Sequence, residues 1–519
     1  MLIKSQKKRA LSLEEPLLHP DHARPKTRRE FISQGFMAGA ATLSSASLFN
    51  LLTPGRAHAL SPALEARKAE CGINTLTGGK VPFICFDLAG GASMVGSNVL
   101  MGKSGGQLDF LSTAGYNKLG LPGDMLPNQP QFVNQEFGLA FHSDSGFLRG
   151  MQASTSMTAR AFINGAVIAA RSENDTGNNP HNPMYGILKA GAEGELVSLV
   201  GSQSSESGGN SMAPMGLINS KARPTKVDRP TDATGLVDVG DLTSILEKQD
   251  AVSVLESIRN ISLAKLNRDT VDTGLTDTAD TAIKNQVDCG YIKSAHLIEE
   301  FGDPEAIDPG EDQQIVGSSG IFTTDEFFGN NRLGREFRKT ASVMKLVQNR
   351  YAGAGTVTLG GYDYHTGERA TGEFRDYLAG RCMGACLEYA HRTGTPLMLY
   401  VFSDGSVSSN GRIDDSEGGR GKGEWTGDNQ QTAASFYLVY NPVGRPVVRN
   451  QQIGFMRADA SVETASSPIA NNVNQLVQAV VLNYMALNNE EGRFENVMVG
   501  HGLGGSSSRD RLVGIEPII

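Results

Sequence analysis

The chain has one tryptophan in 519 residues, and aromatic residues make up only 7 % of it. That composition excludes a carbohydrate-binding surface built on stacked indoles. There is no P-loop, no convincing dinucleotide fingerprint and no internal repeat. Cysteine is scarce: Cys71, Cys85, Cys289, Cys382 and Cys386 are all there are, and none forms a CxxC pair. Neither a thiolate zinc site nor a thioredoxin-type centre is therefore expected. The odd number leaves at least one thiol without an intramolecular partner. Cys382 and Cys386, four apart on an expected helix, are read as buried thiols. Basic charge is also short, with 47 Lys and Arg against 56 Asp and Glu. The first 59 residues hold 9 basic and 4 acidic side chains, which leaves 38 against 52, a net −14, for the rest. An acidic body of that kind argues against nucleic acid as a partner.

What the chain does have begins with an export signal. Thr27-Arg28-Arg29-Glu30-Phe31-Ile32 is a twin-arginine motif with an aromatic two places after the second Arg. A weakly apolar run, Gly35 to Leu52, follows, and Ala57-His58-Ala59 supplies a small-x-small cleavage pattern. Ala, Gly and Ser interrupt that run, so no permanent membrane span is expected. Residues 1–59 are read as a signal peptide recognised by the twin-arginine translocase. Residues 60–519 are then a periplasmic or exported domain. That length suits one large α/β domain with insertions, expected near 201–235 and 267–330.

Val81 to Leu88 reads as a buried strand running into Ala89-Gly90-Gly91-Ala92-Ser93. Ser154 to Arg171 reads as helical, and Asn174 to Pro183 as a polar loop. Leu196 to Val200 is a further strand. Gly201 to Gly235 lacks periodicity and is read as a long loop. Asp241 to Leu266, Asn331 to Tyr351 and Asn471 to Leu487 carry helical apolar stripes. The Asp- and Thr-rich run from Asn267 to Thr281 matches no calcium-binding EF-hand loop. Ala434 to Tyr440 is a strand, and Val497 to Val499 reads as a short one before Gly500-His501-Gly502.

The chemistry concentrates at Gly360-Gly361-Tyr362-Asp363-Tyr364-His365-Thr366. A β-rich run ending at Leu359 precedes it. A long helix with Phe374, Leu378, Met383 and Leu387 follows, and then Leu397 to Phe402 runs into Ser403-Asp404-Gly405. Strand, loop, helix and strand make a βαβ unit with parallel strands. Asp87, Asp363, His365 and Asp404 then stand just beyond the carboxyl ends of strands, where open α/β sheets place ligands. Carboxylates with an imidazole suit a divalent cation. His501 is a further candidate ligand, and Ser93 a candidate nucleophile in its glycine turn.

The twin-arginine leader, the strand into Gly90-Gly91-x-Ser93, the Gly360 to His365 motif and Phe402-Ser403-Asp404-Gly405 occur in one order. Together they resemble an exported bacterial family of unknown function related to alkaline phosphatases and sulfatases. The resemblance covers most of the chain after the leader, and the motif at Gly360 is its most specific part. It implies an alkaline phosphatase-like, three-layer α/β/α fold with a mostly parallel central sheet. It also implies that Asp87, Asp363, His365 and Asp404 ligate a divalent metal such as Zn, Mn, Mg or Ca. Three positions depart from the superfamily pattern. Gly405 stands where a His is usual, Ala92 to Asn98 lacks the expected His and Asp, and Thr426-Gly427-Asp428-Asn429 stands for Thr-Asp-His-Gly. Those departures imply a weakened or emptied metal site.

Two functions follow as expectations. One is a metal-dependent hydrolase of phosphate or sulfate esters, acting on a small anionic ester. The other is a non-catalytic periplasmic binding, assembly or secretion factor that reuses the fold and holds no metal.

Overall fold

Three largely apolar runs form the middle of one sheet. In this computed structural model, residues 61–68, 70, 71, 73, 79–172, 179–238, 246, 248–266, 277–301 and 304–519 are described. The expected leader, 1–59, lies outside them, as does most of the Asp-rich run from 267. The chain divides into two compact units: residues 1–71 with 239–302, and residues 72–238 with 303–519. The second expected insertion, 267–330, straddles the two.

The larger unit holds an eight-stranded sheet. Its strands are β1 (Phe83–Ala89), β2 (Ile163–Ala169), β3 (Val197–Gly201), β4 (Thr225–Lys226), β5 (Ala352–Gly360) and β6 (Leu397–Phe402). A two-stranded hairpin, β7 (Val407–Asp414) with β8 (Lys422–Asp428), stands apart from that sheet. β9 (Ala434–Tyr440) and β10 (Gln452–Ile453) complete the large one. The order is β10-β2-β9-β6-β1-β5-β3-β4. β1 runs parallel to both β5 and β6, with Asp87 opposite Thr358 on one side and Phe402 on the other. Only β9 is antiparallel to its neighbours, β6 and β2. The fold is thus mixed α/β around a mostly parallel sheet.

Helices cover both faces, which is why the central strands are buried and mostly apolar. On the face of Phe83, Cys85, Tyr400 and Phe402, the core includes Met184 and Ile187 of α2 (Met184–Lys189) and Val480 and Tyr484 of α7 (Val473–Leu487). On the opposite face Gly355 leaves room for Val343 and Val347 of α5 (Arg332–Gln348); a methyl there would sit 2.5 Å from Val343. α6 (Arg369–Thr393) lies on the same side and packs along α1 (Gly146–Ser154). Gly146, Gly150, Gly380 and Gly384 meet backbone or Cβ atoms of the facing helix, so these two helices approach closely. Cys382 and Cys386 of α6 are buried thiols, as is Cys85.

The smaller unit pairs α3 (Lys248–Leu266) with α4 (Asp277–Phe301). Its one disulfide joins Cys71 to Cys289. Asp288 takes ion pairs from Arg67 and Arg259.

Two expectations need correction. Residues 154–171 are not one helix: Ile163–Ala169 is β2, paired along its whole length with β9. No strand precedes His501, because Phe494–Val497 is a helical turn and Val499 is exposed.

Candidate functional site

Asp87 lies near the carboxyl end of β1, just before the buried Leu88, and is fully enclosed. The chain then turns through Gly90 and Gly91, at φ 128° and 120°, a region that favours glycine. Ser403 and Asp404, just past β6, clamp that turn. Ser403 Oγ donates to the Leu88 carbonyl at 2.6 Å and accepts from the Gly91 and Ala92 amides at 3.1 and 2.9 Å. Asp404 Oδ1 accepts from the Gly90 amide at 2.9 Å.

The loop after β3 closes over both carboxylates. Asp87 Oδ2 accepts from the Asn210 and Ser211 amides at 2.6 and 2.8 Å, and Oδ1 accepts from Ser211 Oγ at 3.1 Å. Asn210 Nδ2 donates to Asp404 Oδ2 at 3.2 Å. Burial, followed by the charge of Asp404, pushes the Asp87 carboxyl up to about 7, against the pull of the hydrogen bonds from residues 210 and 211.

Residues 179–182 complete this layer. Asn179 Nδ2 donates to the Asp404 carbonyl at 2.8 Å, and Asn182 Nδ2 reaches Thr356 Oγ1 at 3.2 Å. The His181 ring stacks on Phe402, centroids 6.0 Å apart. Neither of its ring nitrogens has a hydrogen-bond partner among the described residues. Burial pushes its pKa down to about 4, so the ring is neutral at ordinary pH.

A second group sits toward solvent. His365 Nε2 lies 2.7 Å from Asp363 Oδ1 and 3.8 Å from Asp428 Oδ2 at the end of β8. One ligand atom from each of the three falls within 4.8 Å of the others. The side chains are 61 % (Asp363), 29 % (His365) and 46 % (Asp428) exposed. Tyr364, between the first two, points inward. Its hydroxyl accepts from the Ser93 amide at 2.9 Å and contacts Asp376 Oδ1 of α6 at 3.2 Å. Burial pushes Asp376 up to about 7, so Tyr364 fastens the Gly90–Ser93 turn to a carboxyl that is readily protonated.

The candidate residues thus fall into two pairs. Asp87 meets Asp404 beneath the loop, and Asp363 meets His365 at the surface. Gly90 lies between them, since a Cβ on it would come within 2.5 Å of the Asp363 amide. Among the described residues, no group of three clustered ligand atoms includes Asp87, Asp404 or His501. His501 lies elsewhere, 2.9 Å from Glu495 and beside Arg509 and Phe494. Ser93 is 3 % exposed, with its amide and carbonyl both engaged.

Five participants in the layer over Asp87 were not singled out from sequence: Asn179, His181, Asn182, Asn210 and Ser211. Asp428 was visible only as part of Thr426-Gly427-Asp428-Asn429. A second cluster with ligand-type side chains, His296, Glu299 and Glu300, occupies one turn of α4, where Glu299 pairs with Lys68 at 3.3 Å.

The two carboxylate environments differ in what they can hold. Every oxygen of Asp87 already accepts a hydrogen bond, and both Asp404 oxygens do too. The deep pair is thus held by the chain's own donors. The Asp363, His365 and Asp428 set, two carboxylates and an imidazole open to solvent, fits a hard or borderline divalent ion. Searches of protein-family models and of curated proteins find no match to this chain.

Proposed function

We propose that the protein is an exported α/β hydrolase of small phosphate or sulfate esters, with an alkaline phosphatase-like arrangement and a cation site at Asp363, His365 and Asp428. The observation that carries this is the convergence of those three side chains beside the carboxyl ends of β1 and β5. A divalent ion bound there would polarise an ester and activate water. Ser403 and Asp404 shape the glycine turn that borders the site, and Tyr364 holds it from behind. The attacking group is water rather than the Ser93 hydroxyl, which is enclosed. The disulfide at Cys71 and Cys289 fits an oxidising compartment and so supports export.

One observation favours a non-catalytic binding or assembly factor instead. The strand-end carboxylates Asp87 and Asp404 are committed to the chain's own donors, as in a fold whose deep metal position has been given up.

Calorimetric titration of the mature protein with Zn, Mn, Mg and Ca, followed by turnover of nitrophenyl phosphate and sulfate, separates the two. Stoichiometric binding that Asp363→Asn weakens about tenfold or more, with turnover, supports the hydrolase. Binding without turnover keeps the cation site but overturns the hydrolase, and absence of binding removes the cation site and supports the factor. Export is tested separately: Arg28→Lys with Arg29→Lys should hold precursor in the cytoplasm, because Lys lacks the planar guanidinium fork. Normal periplasmic accumulation would refute it.

A further inference from the structure

The Gly360 carbonyl, the last of β5, carries an unusual load. Arg332 Nη2 and Arg375 Nη1 both donate to it, the latter at 3.0 Å. Two guanidinium groups thus lie side by side on one neutral oxygen. Neither forms an ion pair among the described residues. Glu368 acts on Arg375 only through its field, outside ion-pair distance. Both side chains are partly exposed.

Three further features make the place electropositive. Arg332 is the first residue of α5, a 17-residue helix whose first turn contains no acidic side chain. It therefore adds its charge to the positive end of the helix dipole, where a cation is unfavourable. Its Nε is buried with no hydrogen-bond partner among the described residues. Burial first, and then the charge of Arg332, lowers the Arg375 guanidinium from its usual value.

The glycine motif explains how Arg375 gets there. Gly361 adopts φ 83°, and a Cβ on it would fall 1.7 Å from Arg375 Nη1. Gly361 thus leaves the space in which the guanidinium lies across the strand end. A bound anion would neutralise both, and a guanidinium fork matches the oxygens of a phosphate or sulfate group.

We propose that Arg332 and Arg375 form an oxyanion subsite that takes a phosphate or sulfate group, free or at the end of an organic ester. The subsite needs no cation at Asp363 and stands or falls independently of one.

The test is calorimetric titration of the mature protein in chelator, so that no divalent ion contributes. One arm uses inorganic phosphate and the other phenylphosphonate, an ester mimic that cannot be hydrolysed. Saturable one-to-one binding is expected, and Arg332→Gln or Arg375→Gln should each weaken it about tenfold or more, the scale of a lost charge-assisted hydrogen bond. Arg375→Lys should recover part of the loss, and Glu368→Gln should tighten binding. Tighter binding of phenylphosphonate assigns the subsite to an ester, and tighter binding of phosphate assigns it to the free anion. Thermal unfolding without phosphate checks that each variant folds. Absence of saturable binding in the wild type, or unchanged affinity in both Gln variants, overturns the proposal.

Discussion

Gly209 sits directly on the Asp87 carboxylate: a Cβ built on it would lie 2.7 Å from Asp87 Oδ2. The same atom would come within 3.0 Å of Asn182 Nδ2 and of Thr356 Cγ2. A residue in a serine-rich loop is therefore the roof of a buried carboxylate, and its lack of a side chain lets the Asn210 and Ser211 amides reach the oxygens.

Gly209→Ala should accordingly lift the loop from Asp87 and lower stability by about 1–3 kcal/mol, the usual cost of overpacking an enclosed site. Urea unfolding measures it. A variant with the wild-type midpoint would mean that the loop is not held down by those hydrogen bonds.

His181 should make the fold acid-sensitive. Its pKa is about 4 when folded, against an ordinary 6.5. Stability from the neutral ring is therefore complete above pH 6.5 and lost as pH falls toward 4. Asp87 and Asp376 run the other way. Each is raised from 3.8 to about 7, so their contribution is complete below 3.8 and lost as pH rises through 7. The two trends oppose each other over the same window and flatten the wild-type curve. His181→Phe keeps the stack on Phe402 and removes the titration. At pH 5 it should be spared on the order of 2 kcal/mol of loss, and its stability should fall steadily with rising pH. Urea midpoints from about pH 4 to about pH 8 decide it; parallel curves for variant and wild type would refute the assignment.

Glu373 should be among the costliest single changes. It is buried in α6 and accepts from Lys422 Nζ at 2.8 Å, Arg369 Nη2 at 2.7 Å and Arg149 Nη2 at 2.6 Å. Burial pushes its pKa up, but the charges of Lys422 and Arg369 outweigh that and hold the carboxyl below its usual value. Glu373→Gln takes the carboxylate partner from the enclosed Arg369 and leaves the enclosed Lys422 with Asp144 alone, at 3.1 Å, among the described residues, and should cost about 3–5 kcal/mol. Because Lys422 starts β8 and Asp428 ends it, cation affinity at Asp363, His365 and Asp428 should fall as well. Full stability together with full cation affinity would show that the network does not position β8.

The sheet centre was legible because parallel strands covered on both faces have little choice but to be apolar. Val81 to Leu88, Thr356 to Leu359 and Leu397 to Phe402 show this directly, and β1 does lie between the other two. Residues 154–171 misled because Ala-rich sequence favours a helix locally; pairing of Ile163–Ala169 with β9, more than 260 residues away, overrides that preference. The layer over Asp87 was not legible at all. Its donors are backbone amides and short polar side chains from residues 179–182 and 210–211, which no spacing rule brings together. Asp363 and His365 were visible as a motif, but Asp428 joins them only through the pairing of β8 with β7, which sets Asp428 opposite Val407.

The Cys71–Cys289 bond has a consequence for the chain's integrity. Those cysteines are 218 residues apart in sequence. A single peptide-bond cut anywhere between them leaves one covalent molecule. A protein nicked beside an exposed residue between them, such as Met215, would migrate as full length on a gel until reductant is added. Only then would the damage become visible as two fragments.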